Sequence, residues 1–358
     1  MSATGLSAER RSDEDMSVSM ALRGRGKESI TIDLKTDEGR DVLLDLVSKA
    51  DVLVENYSAG VTRRLRIDWE SVREVNPSLV YTSITRFGSD DDGGSKAMDT
   101  IVQALSGLML TAGKPEDAPI RFGLPLGDLS APLFAVIGTL SALLEVQRGG
   151  QGQHVDVSML GALTSLVACE PFDAFESMGM PTRTGDWVPR PAPFGTFRGE
   201  DGWFALCGPT DEFAAGVFRA IGAPELLGDP RFAKRDARVR NSDELHGLIA
   251  TWAAEHPVAE AVDALARHGV PAAPVRSLAD AVRDPAVRRR GEVVPLPHPV
   301  YGENADLWGT GVPITFSDST VGFDKPAPYL GADTDSVLRD LLGYESSRVE
   351  SLRESGVV

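Results

Sequence analysis

Apolar positions recur with two different periods along this chain. Residues 29–34 alternate in the manner of a strand, and 37–50 place Val42, Leu43, Leu46 and Val47 on one helical face. Residues 51–55 form a short apolar run of the kind found in parallel sheets, and 79–84 form another. Residues 61–65 begin a further helix, 98–110 read as helical, 154–157 as a strand, and a helix follows from about Met159. Residues 1–22 show neither period and read as irregular. Strands alternating with helices predict an α/β domain built on a parallel sheet.

The densest apolar stretch runs over 131–146, with Leu133, Phe134, Val136, Ile137, Leu140, Leu143 and Leu144. Apolar on nearly every side, it predicts a buried helix. Ser130 is placed to cap it, with Pro132 in its first turn. The extended run 123–127 ends in a Gly-Asp step, so Asp128 arrives where a strand gives way to that helix. Backbone N–H groups and the helix dipole favour an ionised carboxylate there. Asp128 is therefore a candidate nucleophile on a rigid mount, and a purely capping role stays open beside it. Asn56, Arg86 and Asp128 all follow expected strands, where ligands of parallel sheets bind.

Beyond residue 180 the texture changes. Four prolines between 181 and 193 mark a linker or an active-site loop. A hairpin is expected over 195–198 and 203–207, turning at 199–202. Helices are expected over 211–221, 242–255, 258–268 and 277–283, then an extended stretch rich in proline and glycine over 293–316. Helices over 334–342 and 346–355 close the chain. The expected organisation is a large α/β domain over 1–190 and a smaller α+β domain over 191–320.

Composition narrows the function. The chain has 358 residues, 42% of them apolar and 25% charged, with a net charge of −17. That charge argues against nucleic acid and against a basic membrane-surface role. The two cysteines, Cys169 and Cys207, lack metal spacing and read as buried thiols of a reducing compartment. The five histidines make no ligand pattern, so no metal site is expected. No leader-like segment or long uninterrupted apolar run stands out, which makes the cytoplasm the expected compartment. The run 288–290 of three arginines reads as a solvated helix end. The glycine-rich turn 149–152 lacks the spacing of a phosphate loop and precedes a strand.

Several stretches match one family. They include Arg25-Gly26-Lys27-Glu28-Ser29-Ile30-Thr31-Ile32-Asp33-Leu34-Lys35-Thr36, Asp51-Val52-Leu53-Val54-Glu55-Asn56-Tyr57, Ser83-Ile84-Thr85-Arg86-Phe87-Gly88, Gly127-Asp128 and Gly150-Gln151-Gly152-Gln153-His154-Val155-Asp156-Val157. In the second half, Ala192-Pro193-Phe194-Gly195-Thr196-Phe197-Arg198, Gly269-Val270-Pro271 and the closing Glu354-Ser355-Gly356-Val357-Val358 also fit. On these motifs the chain resembles the class III CoA-transferases, the group of formyl-CoA transferase, carnitine CoA-transferase and α-methylacyl-CoA racemase.

That resemblance implies a large Rossmann-like domain with a small domain, C-terminal helices (321–358) returning to the large one, and two chains interlocked as a homodimer. It implies acyl-CoA and a carboxylic acid as substrates, with no permanently bound cofactor. It implies that Asp128 attacks the thioester, passing through an anhydride and an aspartyl-CoA thioester. Coenzyme A contacts are implied at Asp33, Leu34, Lys35, Thr36, Asn56 and Tyr57, with Arg64 and Lys96 at the positions that meet its phosphates. Ordinary loop packing stays open for Asn56 and Tyr57, and a solvated role for Arg64 and Lys96. The loop 189–195 falls where the family has a substrate-side loop. The racemase branch needs a histidine where this chain has Met98 and a glutamate where it has Thr210. Methionine moves no proton, so transferase is the expected reaction. Family members open with a further strand–helix–strand unit, whereas the match here begins near Arg25. The expectation is a unit supplied by an earlier start or by a heteromeric partner, or a non-catalytic subunit.

Overall fold

The structure is a computed structural model, and it describes all residues except 1–15, 90–97, 187–189, 299–301 and 324. The chain divides into two compact units. One holds residues 1–83, 138–155 and 277–358, and the other holds 84–137 and 156–276.

In the first unit, β1 (Val52–Glu55) pairs in parallel with β2 (Val80–Thr85), with Glu55 opposite Ser83. The third strand, β3 (His154–Ser158), completes the order β1-β2-β3. The chain passes between units within β2, within β3 and within the long helix Leu126–Gln147. The helix Asp37–Val47 serves two cores. Val47 packs with Val72, Leu79 and Tyr81, while Val42 packs with Leu338, Tyr344, Val349 and Leu352 of the C-terminal tail. Each such burial contributes roughly 1.5–3 kcal/mol.

Residues 29–34 were expected as a strand, but they join no sheet. Their alternation is real, yet the amides are met by the tail. Ser29 N–H donates to Asp333 at 2.7 Å, Thr31 N–H to Thr334 Oγ1 at 3.3 Å, and Asp33 N–H to the Val357 carbonyl at 2.8 Å. The tail helix Ser346–Glu354 matches expectation, whereas 334–342 splits into Thr334–Ser336 and a wider π turn, Val337–Leu341. The expected irregular start is also corrected in part. Val18–Arg23 is helical because Ser17 caps it, accepting the Met20 N–H at 3.1 Å.

The extended stretch 293–316 contains a two-stranded ribbon, β7 (Val293–His298) against β8 (Gly302–Thr310). Pro295 and Pro297 are tolerated because every strand of a ribbon is an edge. Arg288 of the basic run is partly covered: its guanidinium lies 3.6 Å above the Trp308 ring.

In the second unit, the expected hairpin is present. It comprises β4 (Phe194–Arg198) and β5 (Trp203–Cys207), closed by Gly199 N–H on the Gly202 carbonyl, with β6 (Ala272–Pro274) added beside β5. Helices Asp211–Ala220, Ser242–Ala254 and Val258–Arg267 cover it over a core of Phe197, Phe204, Val217, Phe218, Phe232 and Ile249. Cys169, expected buried, is exposed past the end of the helix Met159–Val167, and Cys207 is half-buried.

The long helix departs most from expectation. It starts at Leu126, not at residue 131, so Ser130 and Pro132 lie inside it and Ser130 caps nothing. Pro132 has no N–H for the Asp128 carbonyl one turn back, a position where proline ordinarily bends a helix. Nor is the helix buried within this chain. Only Ala131, Ala135 and Ala142 are buried among its apolar residues, while Leu133 is 65% and Ile137 62% exposed. The reason is close approach. A methyl at Gly138 would lie 2.6 Å from Val155, so the inward face must be made of small residues and the large ones point away.

Candidate active site

Asp128 sits in the first turn of the Leu126–Gln147 helix with its side chain exposed. No strand leads into it: residues 119–125 are irregular, and the turn is closed by Leu129 N–H on the Pro125 carbonyl at 3.0 Å. A carboxylate in a first turn is stabilised by the helix dipole. Gly127, beside it, is buried. Its N–H donates to Asp99 at 2.7 Å, and a methyl on it would stand 3.1 Å from that carboxylate and 3.2 Å from Met159. The Asp99–Leu105 helix and the start of the Met159–Val167 helix therefore hold this first turn from below. The carbonyl of Arg86, just after β2, receives the Leu160 N–H at 3.0 Å and so anchors the same helix start.

The expected helix 98–110 is shorter than its pattern. It spans Asp99–Leu105 and is followed by a 3₁₀ turn, Leu108–Leu110, after Gly107 adopts a left-handed conformation (φ 81°). Met98 precedes the helix and is 81% exposed. Asp99 and Gln103 were not named as site residues, although Gln103 opens Gln103-Ala104-Leu105-Ser106-Gly107, a further run that matches the family. Their signal was the spacing of four on one helix face, which lets an aspartate and a glutamine bond each other.

The other candidates lie in the first unit, apart from Lys96, which falls outside the described residues. Asp33 forms a turn: its Oδ1 accepts the Lys35 N–H at 3.0 Å, and its carbonyl accepts both the Thr36 N–H (3.2 Å) and the Thr36 hydroxyl (2.9 Å). Thr36 in turn caps the Asp37–Val47 helix through Gly39 N–H at 3.0 Å. A methyl at Gly39 would collide with the Asp33 carbonyl at 2.1 Å, which explains the glycine. Leu34 is half-buried and Lys35 exposed. Asn56 and Tyr57 follow β1 and are both exposed, and the Tyr57 N–H donates to Glu55 at 2.7 Å. Arg64 is exposed on the short helix Val61–Leu65. Two contacts bring this helix to the Thr36 cap: Arg66 pairs with Asp37, and Arg40 donates to the Arg66 carbonyl at 3.1 Å. Lys35, Thr36 and Arg64 thus belong to one corner.

Two buried titratable groups support the loop that enters β4. Arg238 donates to the Ala192 carbonyl (2.9 Å), the Phe232 carbonyl (3.2 Å) and Asp211 (2.9 Å). That contact holds the Asp211 carboxyl below its usual range. The ring of His246 accepts the Phe194 N–H at 3.3 Å, and burial pulls this imidazole down to about 4. Thr210, at the racemase-glutamate position, caps the Asp211–Ala220 helix by accepting the Phe213 N–H at 3.2 Å.

Fold and site together define a mixed α/β protein with an exposed carboxylate on the first turn of a long helix, a group able to form covalent acyl intermediates. The family model described as CoA-transferase family III matches residues 5–334, and the chain belongs to that family, among the transferases of acyl-CoA metabolism. It is 34% identical over 320 residues to an acetyl-CoA:oxalate CoA-transferase of Acetobacter aceti, covering 89% of this chain and 79% of that enzyme. It is 32% identical over 349 residues to a formyl-CoA:oxalate CoA-transferase of Streptomyces avermitilis, covering 93% and 84%. A crystal structure of a CAIB/BAIF family protein from Brucella suis superposes with a TM-score of 0.79 at 31% identity, over 93% of this chain and 86% of that one. Among the described residues, Leu126–Gln147 is the one helix long and apolar enough to cross a membrane. Length and composition alone are weak evidence for a span, and this helix carries Asp128 in its first turn.

Proposed function

We propose that this chain moves CoA from an acyl-CoA donor to a carboxylic acid through covalent adducts on Asp128. The Asp128 carboxylate attacks the thioester carbonyl. The C–S bond breaks, leaving an aspartyl–acyl anhydride and CoA thiolate. The thiolate attacks the aspartyl carbonyl, frees the donor acid and forms an aspartyl-CoA thioester. The acceptor carboxylate repeats the exchange in reverse, and Asp128 emerges ionised. No net proton is needed, which suits a carboxylate with no imidazole beside it in sequence. Splitting one hard exchange into anhydride and thioester steps is what a carboxylate nucleophile offers.

The observation that carries this reading is the exposed carboxylate of Asp128 on the first turn of a helix, over a buried glycine, in a CoA-transferase family chain. The names of the relatives favour small acids such as oxalate, with acetyl- or formyl-CoA as donors. Coenzyme A is proposed to lie along Asp33, Leu34, Lys35 and Thr36, with Asn56, Tyr57, Arg64 and Lys96 as further contacts. The turn at Asp33, the Thr36 cap and the exposed cations of Lys35 and Arg64 support that corner. A homodimer is proposed, supported by the exposed Leu133, Ile137 and Leu140 on the long helix. The cytoplasm is the proposed compartment.

Racemisation is the weaker reading, because Met98 carries no titratable group and Thr210 is spent as a cap. The test is intact-protein mass spectrometry with acetyl-, formyl-, oxalyl- and succinyl-CoA, using hydroxylamine as a trap. A hydroxamate mapped to Asp128, absent from Asp128→Asn, is the expected result. A folded protein that gives no adduct with any donor overturns the reading in favour of a non-catalytic subunit.

A further inference from the structure

We infer that Asp99 and Gln103 are positioning residues for Asp128, and that the direction of their hydrogen bonds sets where that carboxylate stands. The inference rests on Asp128 being the nucleophile. Gln103 has no exposure, and it lies one turn beyond Asp99 on the same helix face. Its Oε1 accepts the Phe122 N–H at 3.1 Å. Its Nε2 donates to the Leu124 carbonyl at 3.0 Å and to Asp99 Oδ2 at 2.7 Å. Asp99 Oδ1 takes the Gly127 N–H at 2.7 Å. Two side chains thus hold the backbone at residues 122, 124 and 127, the last immediately before Asp128.

The polarity of this chain of bonds leaves no freedom. A backbone N–H only donates, so the amide oxygen of Gln103 must face Phe122. Its NH₂ then faces the Leu124 carbonyl, which only accepts, and Asp99. Asp99 consequently meets two donors, the Gln103 NH₂ and the Gly127 N–H, and needs an acceptor oxygen for each. A carboxylate supplies both, while an asparagine would turn its own NH₂ toward one of them. The absence of a side chain at Gly127 lets its amide reach Asp99, since a methyl there would meet that carboxylate at 3.1 Å. Misplacing a reacting group by about 1 Å costs on the order of a hundredfold in rate.

The same polarity supplies the test. Asp99→Asn sets NH₂ against NH₂, and Gln103→Glu sets carboxylate against carboxylate. The double variant D99N/Q103E reverses one bond and restores order. The new carboxylate at position 103 accepts from the Phe122 N–H and from the new side-chain NH₂ at position 99, whose amide oxygen accepts from Gly127. Only the bond to Leu124 is lost. The expected result is a kcat about a hundredfold lower in each single variant, with KM for the acyl-CoA changed less than about threefold. The yield of trapped hydroxamate on Asp128 falls with kcat, and both recover to within about tenfold of the parent in the double variant. Single variants with parental kcat overturn the inference. So does a folded double variant as slow as the slower single one, because the Asp99 carboxylate would then act from its own position. Should a single variant fail to fold, the double variant decides alone by the same threshold. A parent protein without hydroxamate on Asp128 overturns the nucleophile reading instead, and is recognised before any variant is made.

Discussion

Replacing Arg238 by methionine should lower the thermal stability of the second unit by about 6–12 °C. The guanidinium is 1% exposed and serves three acceptors, two of them the carbonyls of Ala192 and Phe232. Both of those residues are fully buried, so no water replaces the lost donors. An orphaned buried carbonyl costs roughly 1–3 kcal/mol, which makes roughly 2–6 kcal/mol for the pair. Methionine fills much of the volume and spares the desolvation of a buried cation, which offsets part of that loss. A net cost of about 3 kcal/mol remains, and at roughly 2–4 °C per kcal/mol for a unit of this size it gives the stated shift. Asp211 is the control. Its side chain is 56% exposed, and in Asp211→Asn the amide oxygen can still accept from Arg238, so that variant should shift the transition by no more than about 2 °C. Differential scanning calorimetry reads both. Equal losses in the two variants, or a loss under about 2 °C for Arg238→Met, would refute the view that the carbonyls carry the effect.

His246 makes stability pH-dependent with a definite sign. Burial lowers its folded value to about 4 from 6.5, so the unfolded chain binds the extra proton as pH falls from 6.5 to 4, and up to about 3 kcal/mol present at neutral pH is lost over that window. Urea titrations at pH 7.5, 5.5 and 4.5 should show that decline, and it should flatten in His246→Gln, whose amide oxygen can still accept from Phe194; identical slopes count against it. Leu133→Asp/Ile137→Asp should convert the proposed dimer to monomers in sedimentation velocity, since each side chain has roughly 1–2 kcal/mol of burial left to gain against a partner. A parent protein that sediments as a monomer at all micromolar concentrations removes the dimer. Lys35→Ala and Arg64→Ala should each raise KM for acyl-CoA several-fold while leaving kcat within about twofold, as expected of exposed charges proposed to contact the coenzyme. An unchanged KM in both would move the coenzyme away from the Thr36 corner.

How much was legible depended on whether partners lay near in sequence. β1, β2, β3 and the hairpin at 199–202 could be read because alternation and turn chemistry are local. The Gly127-Asp128 step at the start of an apolar helix could be read locally as well. The residue at which that helix begins could not, because Asp99, 28 positions away, meets the Gly127 amide that a local cap would otherwise have served. Residues 29–34 show the same limit: their donors are paired by Asp333 and Thr334, some 300 positions on. The exposure of the Leu126–Gln147 helix escaped the pattern too, since an all-apolar helix looks alike whether its large side chains meet their own chain or a second surface.

The sequence by itself therefore determined the α/β class and the family, because local periodicity and short motifs encode them. Tertiary structure alone decided where the helix begins, which amides are met, and that Asp99 and Gln103 stand behind Asp128. Hydrogen-bond donors and acceptors pair by distance in space, and chain position does not record that distance.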